Sequence, residues 1–180
     1  MTSLALVSTL VGTFIVTARL PGLIAPTKYR EQVLKFPRSV FWGRVLMAVA
    51  ASIAWVVMYR AASDDWAWAR PFILIGVPIA YWIVIQYAGT FLAMRATAAL
   101  MLMAAKQMVD AADLSDQPLR LVVTVFAYLW VVAAIWITVA PHQHRDAAQV
   151  LMADDKRCRV VCCVGVIVGG LFLALGVLVY

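Results

Sequence analysis

Five long uncharged segments constrain the fold of this chain more than any other feature of its sequence. Each approaches or reaches the roughly 20 apolar residues that a helix needs to cross a bilayer. The segments are Met1–Ala18, Val45–Tyr59, Pro71–Met94, Leu121–Ala140 and Val160–Tyr180. The composition agrees, because 65% of the residues are hydrophobic and 13% are charged, whereas soluble domains are about half apolar and a quarter charged. We therefore predict an all-α, polytopic membrane protein with a single membrane domain over residues 1–180.

The most basic part of the chain, Ala25 to Arg44, follows the first of these segments and orients the protein. No charged side chain precedes Arg19, and basic residues are frequent from there to Arg44. Lysine and arginine concentrate on the cytoplasmic side of membrane proteins. We therefore expect the N-terminus outside and this loop inside, as in a bacterial inner (cytoplasmic) membrane protein. Since no basic region precedes the first helix and no small-residue cleavage site follows it, we interpret it as a retained helix.

The basic loop also contains a candidate in-plane helix. Tyr29, Val33 and Phe36 are spaced i, i+4, i+7 and share one helical face. The cations beside them would then meet anionic lipid headgroups, each contributing about 1 kcal/mol. These candidate lipid contacts are Lys28, Arg30, Lys35 and Arg38. An ordinary positive-inside loop explains the same charges without a specific lipid site, and we favour that interpretation.

The segment from Pro71 to Asp113 allows two interpretations. One helix over Pro71–Met94, followed by an amphipathic surface helix at residues 95–113, gives five crossings. A break at Tyr87–Thr90 gives two shorter helices instead, Pro71–Gln86 and Phe91–Val109, and six crossings. Six crossings place eleven of the 15 cations inside and four outside, whereas five place nine inside and six outside. The stronger bias favours six transmembrane helices arranged as three hairpins, with both termini outside.

A candidate internal repeat also favours six crossings. Ala25–Glu31 matches Ala140–Asp146 in its Ala-Pro, arginine and acidic positions, and Gln-Val-Leu follows each match. The repeat would relate residues 1–60 to residues 121–180. Because a parallel repeat puts both loops on one face of the membrane, it requires an even number of crossings between them.

The predicted fourth helix carries a polar seam formed by Arg95, Lys106 and Asp110. Plotted at 100° per residue, these side chains and Asp113 fall within about 60° of one another. Ionisable groups in membrane helices usually face a cavity or a partner. The simpler interpretation, which we favour, is that the long basic side chains near the helix ends reach the membrane interface.

The last predicted helix carries a strip of small residues suited to close helix contact. Gly165 and Gly169 form a GxxxG motif, and Cys162 and Gly176 lie on the same face. In lipid, such strips allow two backbones to approach closely. The strip predicts packing but does not name its partner.

The sequence predicts no metal site and no catalytic residue. Both histidines, His142 and His144, lie in a loop, which argues against haem held between helices. Soft sulfur ligands suit Cu(I), but we interpret the cysteines and methionines as packing residues. They are Cys158, Cys162 and Cys163, and the regularly spaced Met94, Met101 and Met108. No G-x-S-x-G, H-E-x-x-H or glycine-rich phosphate loop is present, and a bound pigment, quinone or lipid would leave no motif.

These features favour a small integral membrane protein that acts as a non-catalytic accessory or structural subunit of a larger membrane complex. Its expected partners are membrane lipids and other membrane subunits. The net charge of +6 follows the predicted topology, so we do not expect binding to nucleic acid. The alternative function is a small oligomeric transporter or channel that uses the polar seam.

Overall fold

The computed structural model describes residues 3–62, 64–87, 91–117 and 119–180, and within these ranges the chain is helical and has no strand. The α-helices of these ranges are α1 (Ser3–Ile24), α2 (Pro26–Lys35), α3 (Val40–Ala61), α4 (Arg70–Tyr87), α5 (Leu92–Asp113), α6 (Arg120–Val139), α7 (Pro141–Leu151) and α8 (Asp155–Ala174). Short 3-10 segments lie at Phe36–Arg38 and Asp64–Ala69, and a π-helical segment, Leu175–Val179, continues α8.

Within the described ranges, five helices are long and apolar enough to cross a membrane. They are Ser3–Ile24, Val40–Ala61, Trp66–Tyr87, Arg120–Val139 and Asp155–Val179. This agrees with the predicted integral membrane protein. The helix α5 has the same 22-residue length as α1, but it is less apolar and falls outside this set. Length and composition therefore do not confirm the prediction of six crossings.

One predicted boundary differs from the observed one, and the boundaries around the predicted break agree. The first helix was expected to end at Ala18 but continues to Ile24 through Pro21. Membrane helices tolerate the backbone hydrogen bond that a proline removes, because nearby side chains and small adjustments satisfy the freed group. The split interpretation of the middle segment agrees with α4 ending at Tyr87 and α5 beginning at Leu92. Most of the predicted break, residues 88–90, lies outside the described residues.

The chain divides into two compact units, of which the first contains Met1–Lys35 and Met101–Tyr180. In this unit α1 packs antiparallel against α8 with the two backbones in direct contact. A β-carbon added to Gly12 would lie 2.7 Å from the carbonyl oxygen of Gly169. Towards one end Gly176 contacts Thr9, and towards the other Gly22 contacts Cys162. The start of α1 therefore lies beside the end of α8.

The short helices α2 and α7 both lie where α1 ends and α8 begins. The Thr27 hydroxyl of α2 donates a hydrogen bond of 3.0 Å to Asp155 Oδ2, at the first residue of α8. Met152, which follows α7, is buried in a cluster against which Tyr29 and Val33 of α2 pack. The helices that follow α1 and precede α8, which the candidate repeat relates, thus meet at one end of the first unit.

The opposite end of the first unit contains the turn between α5 and α6. A hydrophobic cluster there joins the start of α1, the second half of α5, the start of α6 and the end of α8. Its largest buried members are Leu4, Met108, Val123 and Phe172. The Tyr180 hydroxyl also donates a 2.8 Å hydrogen bond to the Leu119 carbonyl oxygen, just before α6. The chain therefore runs along α6 from this end to the end that holds α2 and α7.

The second unit contains Phe36–Leu100, with α3, α4 and the first part of α5. Ser39 caps α3 by accepting a hydrogen bond from the Trp42 amide. Gly43 of α3 lies close to α5, since a β-carbon there would be 3.0 Å from the amide nitrogen of Ala93. Along α4, no residue is buried among those that the structure describes.

Candidate functional site

The polar face of α5 in the first unit is formed by an ion pair. Lys106 and Asp110, one helical turn apart, are joined by a hydrogen bond between Nζ and Oδ2. Their side chains are 65% and 47% exposed, whereas Ala105 and Met108 of the same helix are fully buried. The pair therefore points away from the core of the first unit.

The third predicted member of the seam, Arg95, belongs to the second unit. It is exposed, while its neighbours Met94 and Ala96 are buried. Among the residues described for that unit, none forms a hydrogen bond or ion pair with Arg95. Asp113, which closes the same stripe at the end of α5, is also exposed.

The strip of small residues on α8 faces α1 of the same chain. Gly169 and Gly176 approach the α1 backbone, Gly165 touches the Arg19 side chain, and Cys162 lies beside Gly22. The strip is therefore occupied within the protein, and it offers no open surface to a second protein. Sequence analysis missed its counterpart on α1, although Gly12 and the small residues near it give a visible signal for such a face.

The predicted lipid-contacting cations are in different environments. Lys28, Lys35 and Arg38 are exposed, which leaves them accessible to headgroups. Arg30 instead lies 3.9 Å from Asp155 Oδ1, so it helps to hold α2 against α8. Exposed ion pairs of this kind each contribute at most about 1 kcal/mol.

The end of the first unit where α2 and α7 meet also holds a half-buried tyrosine, Tyr29. Burial raises the pKa of the Tyr29 phenol, and the nearby Arg19 guanidinium partly opposes that rise by favouring the phenolate. Tyr29 remains a neutral hydrogen-bonding group at physiological pH, because a raised pKa lies above its ordinary value near 10.

The two histidines of α7 differ in environment. His142 is exposed, whereas the His144 ring packs edge-on against Trp136 with centroids 6.0 Å apart. Burial lowers the pKa of His144, because the charged imidazolium loses hydration there. Among the described residues, no three His, Cys, Asp or Glu side chains are grouped closely enough to hold a metal ion.

We expect acid to weaken the packing of α7 through His144. Its folded-state pKa lies below the unfolded one, so its stability contribution is complete at neutral pH. That contribution is lost as the pH falls through the usual titration range of histidine. Thermal unfolding in detergent at pH 7.5 and pH 5 should show a smaller acid-induced loss for His144→Gln than for the native protein. His142→Gln is the matched control and should respond to acid as the native protein does; equal responses of all three proteins would contradict this assignment.

Two open, shallow apolar grooves lie on the surface of the described residues. One lies in the second unit beside Tyr59 and Leu74, and the other in the first unit beside Leu151 and Val160. Neither is lined by a residue of the seam. Both are lined by apolar atoms, which fits contact with lipid chains or apolar side chains better than binding of a polar substrate.

Comparison with models of protein families, with curated proteins and with solved structures found no match to this chain. No activity is therefore transferred to it from a relative. Its function has to be derived from its own residues.

Proposed function

We propose that this protein is a non-catalytic accessory subunit of a larger membrane complex, and that another membrane protein lies against the outward face of α5. The proposal rests on one observation: the Lys106–Asp110 pair faces away from the core of the first unit. The pair lies on a helix whose other face is buried in the core of its own unit. A charged pair on the outer side of a helix bundle requires a polar environment.

The first step of the proposal is that α5 crosses the membrane as a sixth helix. Support comes from the two ends of the first unit, since α2 lies at one end and the end of α5 lies at the other. The chain between them must cross an odd number of times. The helices α3 and α4 are both candidate spans and would return the chain to its starting side, so α5 supplies the third crossing. Its 22 residues correspond to about 33 Å, enough for a bilayer core.

The same arrangement supports an orientation. With six crossings, α2, α7 and the basic residues beside them lie on one side of the membrane, which by the positive-inside rule is the cytoplasmic side. The N-terminus and the α5–α6 turn then lie outside, as expected for a bacterial inner-membrane protein with three hairpins. The short helices α2 and α7 also begin alike, each at a proline that follows an alanine, which supports the repeat of residues 1–60 and 121–180.

The second step of the proposal is that a neighbouring subunit covers the Lys106–Asp110 pair. A lysine or aspartate near the centre of a membrane helix costs about 3 kcal/mol on insertion scales, and such groups usually face a partner or a water-filled cavity. Lys106 lies about four residues, or roughly 6 Å, from the midpoint of α5, so it is deeper than Asp110. A polar side chain from a neighbouring subunit would meet this cost, and the apolar surface around the pair would pack against the same neighbour.

A second function is favoured by the same outward direction of the pair. Several copies of the chain arranged with α5 towards a common axis would line a pore with Lys106 and Asp110. This arrangement gives a small oligomeric transporter or channel. It differs from the accessory subunit in one measurable respect, because its assembly contains copies of this chain alone.

Native mass spectrometry after extraction in a mild detergent tests both functions. For the accessory subunit, we expect a stoichiometric assembly with a different polypeptide. Asp110→Asn, which leaves Lys106 unpaired, should lower recovery of that assembly at least about tenfold, equivalent to 1.4 kcal/mol. The isolated subunit should keep its melting temperature, because an exposed i, i+4 pair contributes only about 0.5 kcal/mol.

Glu31→Gln is the matched control, since Glu31 and Lys35 form an i, i+4 ion pair in α2, with side chains 64% and 79% exposed. It should leave the assembly intact. A homo-oligomer whose ion flux is lost in Asp110→Ala would establish the transporter or channel instead. A monomer at native expression levels, unchanged by either substitution, would exclude both functions.

A further inference from the structure

A cluster of three sulfur-containing side chains lies at the end of the first unit where α1, α2, α7 and α8 meet. Met152, Cys158 and Cys162 form this sulfur cluster and are 4%, 0% and 0% exposed. Apolar or aromatic side chains pack around it, namely Leu23, Tyr29, Val33 and Val161. In the sequence these cysteines were interpreted as packing residues, and nothing in the sequence places Met152 beside them.

The two thiols of the sulfur cluster are close enough to act together. Cys158 and Cys162 are one turn apart on the buried face of α8, and both belong to the same buried cluster. The Cys158 thiol also lies 3.9 Å from the Pro26 carbonyl oxygen. Cys162 fills the space left by Gly22, where an added β-carbon would overlap its sulfur. Both sulfur atoms are thus held in place by α1 and α2.

A positive charge stands beside these thiols. The Arg19 side chain of α1 lies against Gly165, one helical turn from Cys162. The carboxylate of Asp155 acts on Cys158 in the opposite sense, but it is itself paired with Arg30 at 3.9 Å. Two thiolates around one monovalent cation carry a net charge of −1, which Arg19 would balance. Compensation of this kind is required in a site shielded from water, where an unpaired charge is costly.

We propose that the sulfur cluster binds one Cu(I) ion, with the thiolates of Cys158 and Cys162 and the thioether of Met152 as ligands. Thiolate and thioether sulfur are the ligands that Cu(I) prefers. On binding, two S–H bonds break and three Cu–S bonds form, two to thiolates and one to the thioether, while two protons leave to solvent. Copper stays in the +1 state and no electron is transferred. The site shares no residue with the α5 pair, so its test does not depend on the accessory-subunit proposal.

The neighbouring Cys163 gives the site an internal comparison. It is exposed on the other side of α8, whereas Cys158 and Cys162 are buried. Any copper bound by exposed thiols in general would involve Cys163. Copper bound by the sulfur cluster would not.

The full-length, reduced protein in detergent micelles should be titrated with Cu(I) against a chromophoric Cu(I) chelator. We expect one Cu(I) per chain and release of two protons. Cys158→Ser and Cys162→Ser should each weaken retention by about a hundredfold or more, because each removes one of two anionic ligands. Met152→Leu, which removes only the neutral thioether, should weaken it by about tenfold. Cys163→Ser should bind as the native protein does.

X-ray absorption of the copper-loaded native protein provides a second measurement that needs no variant. It should show a sulfur-only shell. A nitrogen or oxygen shell, loss of binding in Cys163→Ser, or full retention in the Cys158→Ser/Cys162→Ser double variant would each overturn the proposal. So would failure of the native protein to hold one equivalent of Cu(I) against the chelator, or preferential binding of Zn²⁺ at these cysteines.

Discussion

Replacing Gly169 with leucine should separate α1 from α8 and abolish folding of the first unit. A β-carbon at this position would lie 2.8 Å from Val16 Cγ2 and 3.0 Å from both the Gly12 carbonyl oxygen and the Val16 amide nitrogen. Two of these three atoms are backbone, so they cannot move aside by changing a rotamer. Overpacking usually costs 1–3 kcal/mol, and a leucine against backbone should cost at least about 3 kcal/mol.

Gly170 provides the matched control, because a β-carbon there meets nothing within 4 Å. Gly170→Leu should purify as a monodisperse protein that melts within a few degrees of the native one. Gly169→Leu should aggregate or lose its cooperative melting transition, and Gly169→Ala should fall between the two. Similar melting temperatures for the leucine variants at both positions would show that α1 and α8 do not pack as described.

The GxxxG motif of α8 is therefore used within the chain. A motif of small residues indicates that a helix packs closely, but the sequence does not identify the second helix. Here it is the first helix of the same chain. Loss of a protein partner on substitution of Gly165 or Gly169 would therefore follow from misfolding, and only the α5 pair tests subunit contact directly.

The positions of the long helices were predictable because a helix that crosses a bilayer leaves a run of about 20 apolar residues. The end of α4 at Tyr87 and the start of α5 at Leu92 agree with the split interpretation, while the six crossings that the charge distribution favours stay a prediction. The helix α7 was not predicted, since Pro141–Leu151 is polar and was interpreted as a loop. A proline at the first helical position is a local signal that, together with its counterpart Pro26, would have identified it.

The directions in which side chains point were less accessible to sequence analysis. A helical wheel groups Lys106 with Asp110, but it does not reveal whether their face is turned into the bundle or away from it. That depends on which neighbours bury Ala105 and Met108. The sulfur cluster was missed for a similar reason, because Met152 reaches the cysteines only through the packing of α2 and α7 against α8.

Cysteines placed in α2 and α7 should be labelled from the same side of the membrane, and a cysteine in the α5–α6 turn from the other side. Gln32, Gln149 and Leu114 are exposed and belong to the first unit, which makes them suitable positions. Each of these three cysteines is introduced into the Cys163→Ser variant, so that the exposed native cysteine is removed and the buried Cys158 and Cys162 are retained. In intact bacterial cells, a membrane-impermeant maleimide should label Leu114→Cys but neither of the other two.

After permeabilisation all three variants should be labelled, which controls for the reactivity of each position. The expectation follows from the two ends of the first unit, because α2 and α7 meet beside Asp155 while Leu114 lies at the opposite end. A chain with five crossings (α1, α3, α4, α6 and α8) would place Gln149 outside and Gln32 inside. Labelling of Gln149→Cys but not Gln32→Cys in intact cells would therefore remove α5 from the membrane, and with it the need for a partner to cover Lys106 and Asp110. Labelling of Leu114→Cys alone makes α5 a spanning helix, whose ion pair then has to be covered by protein or water.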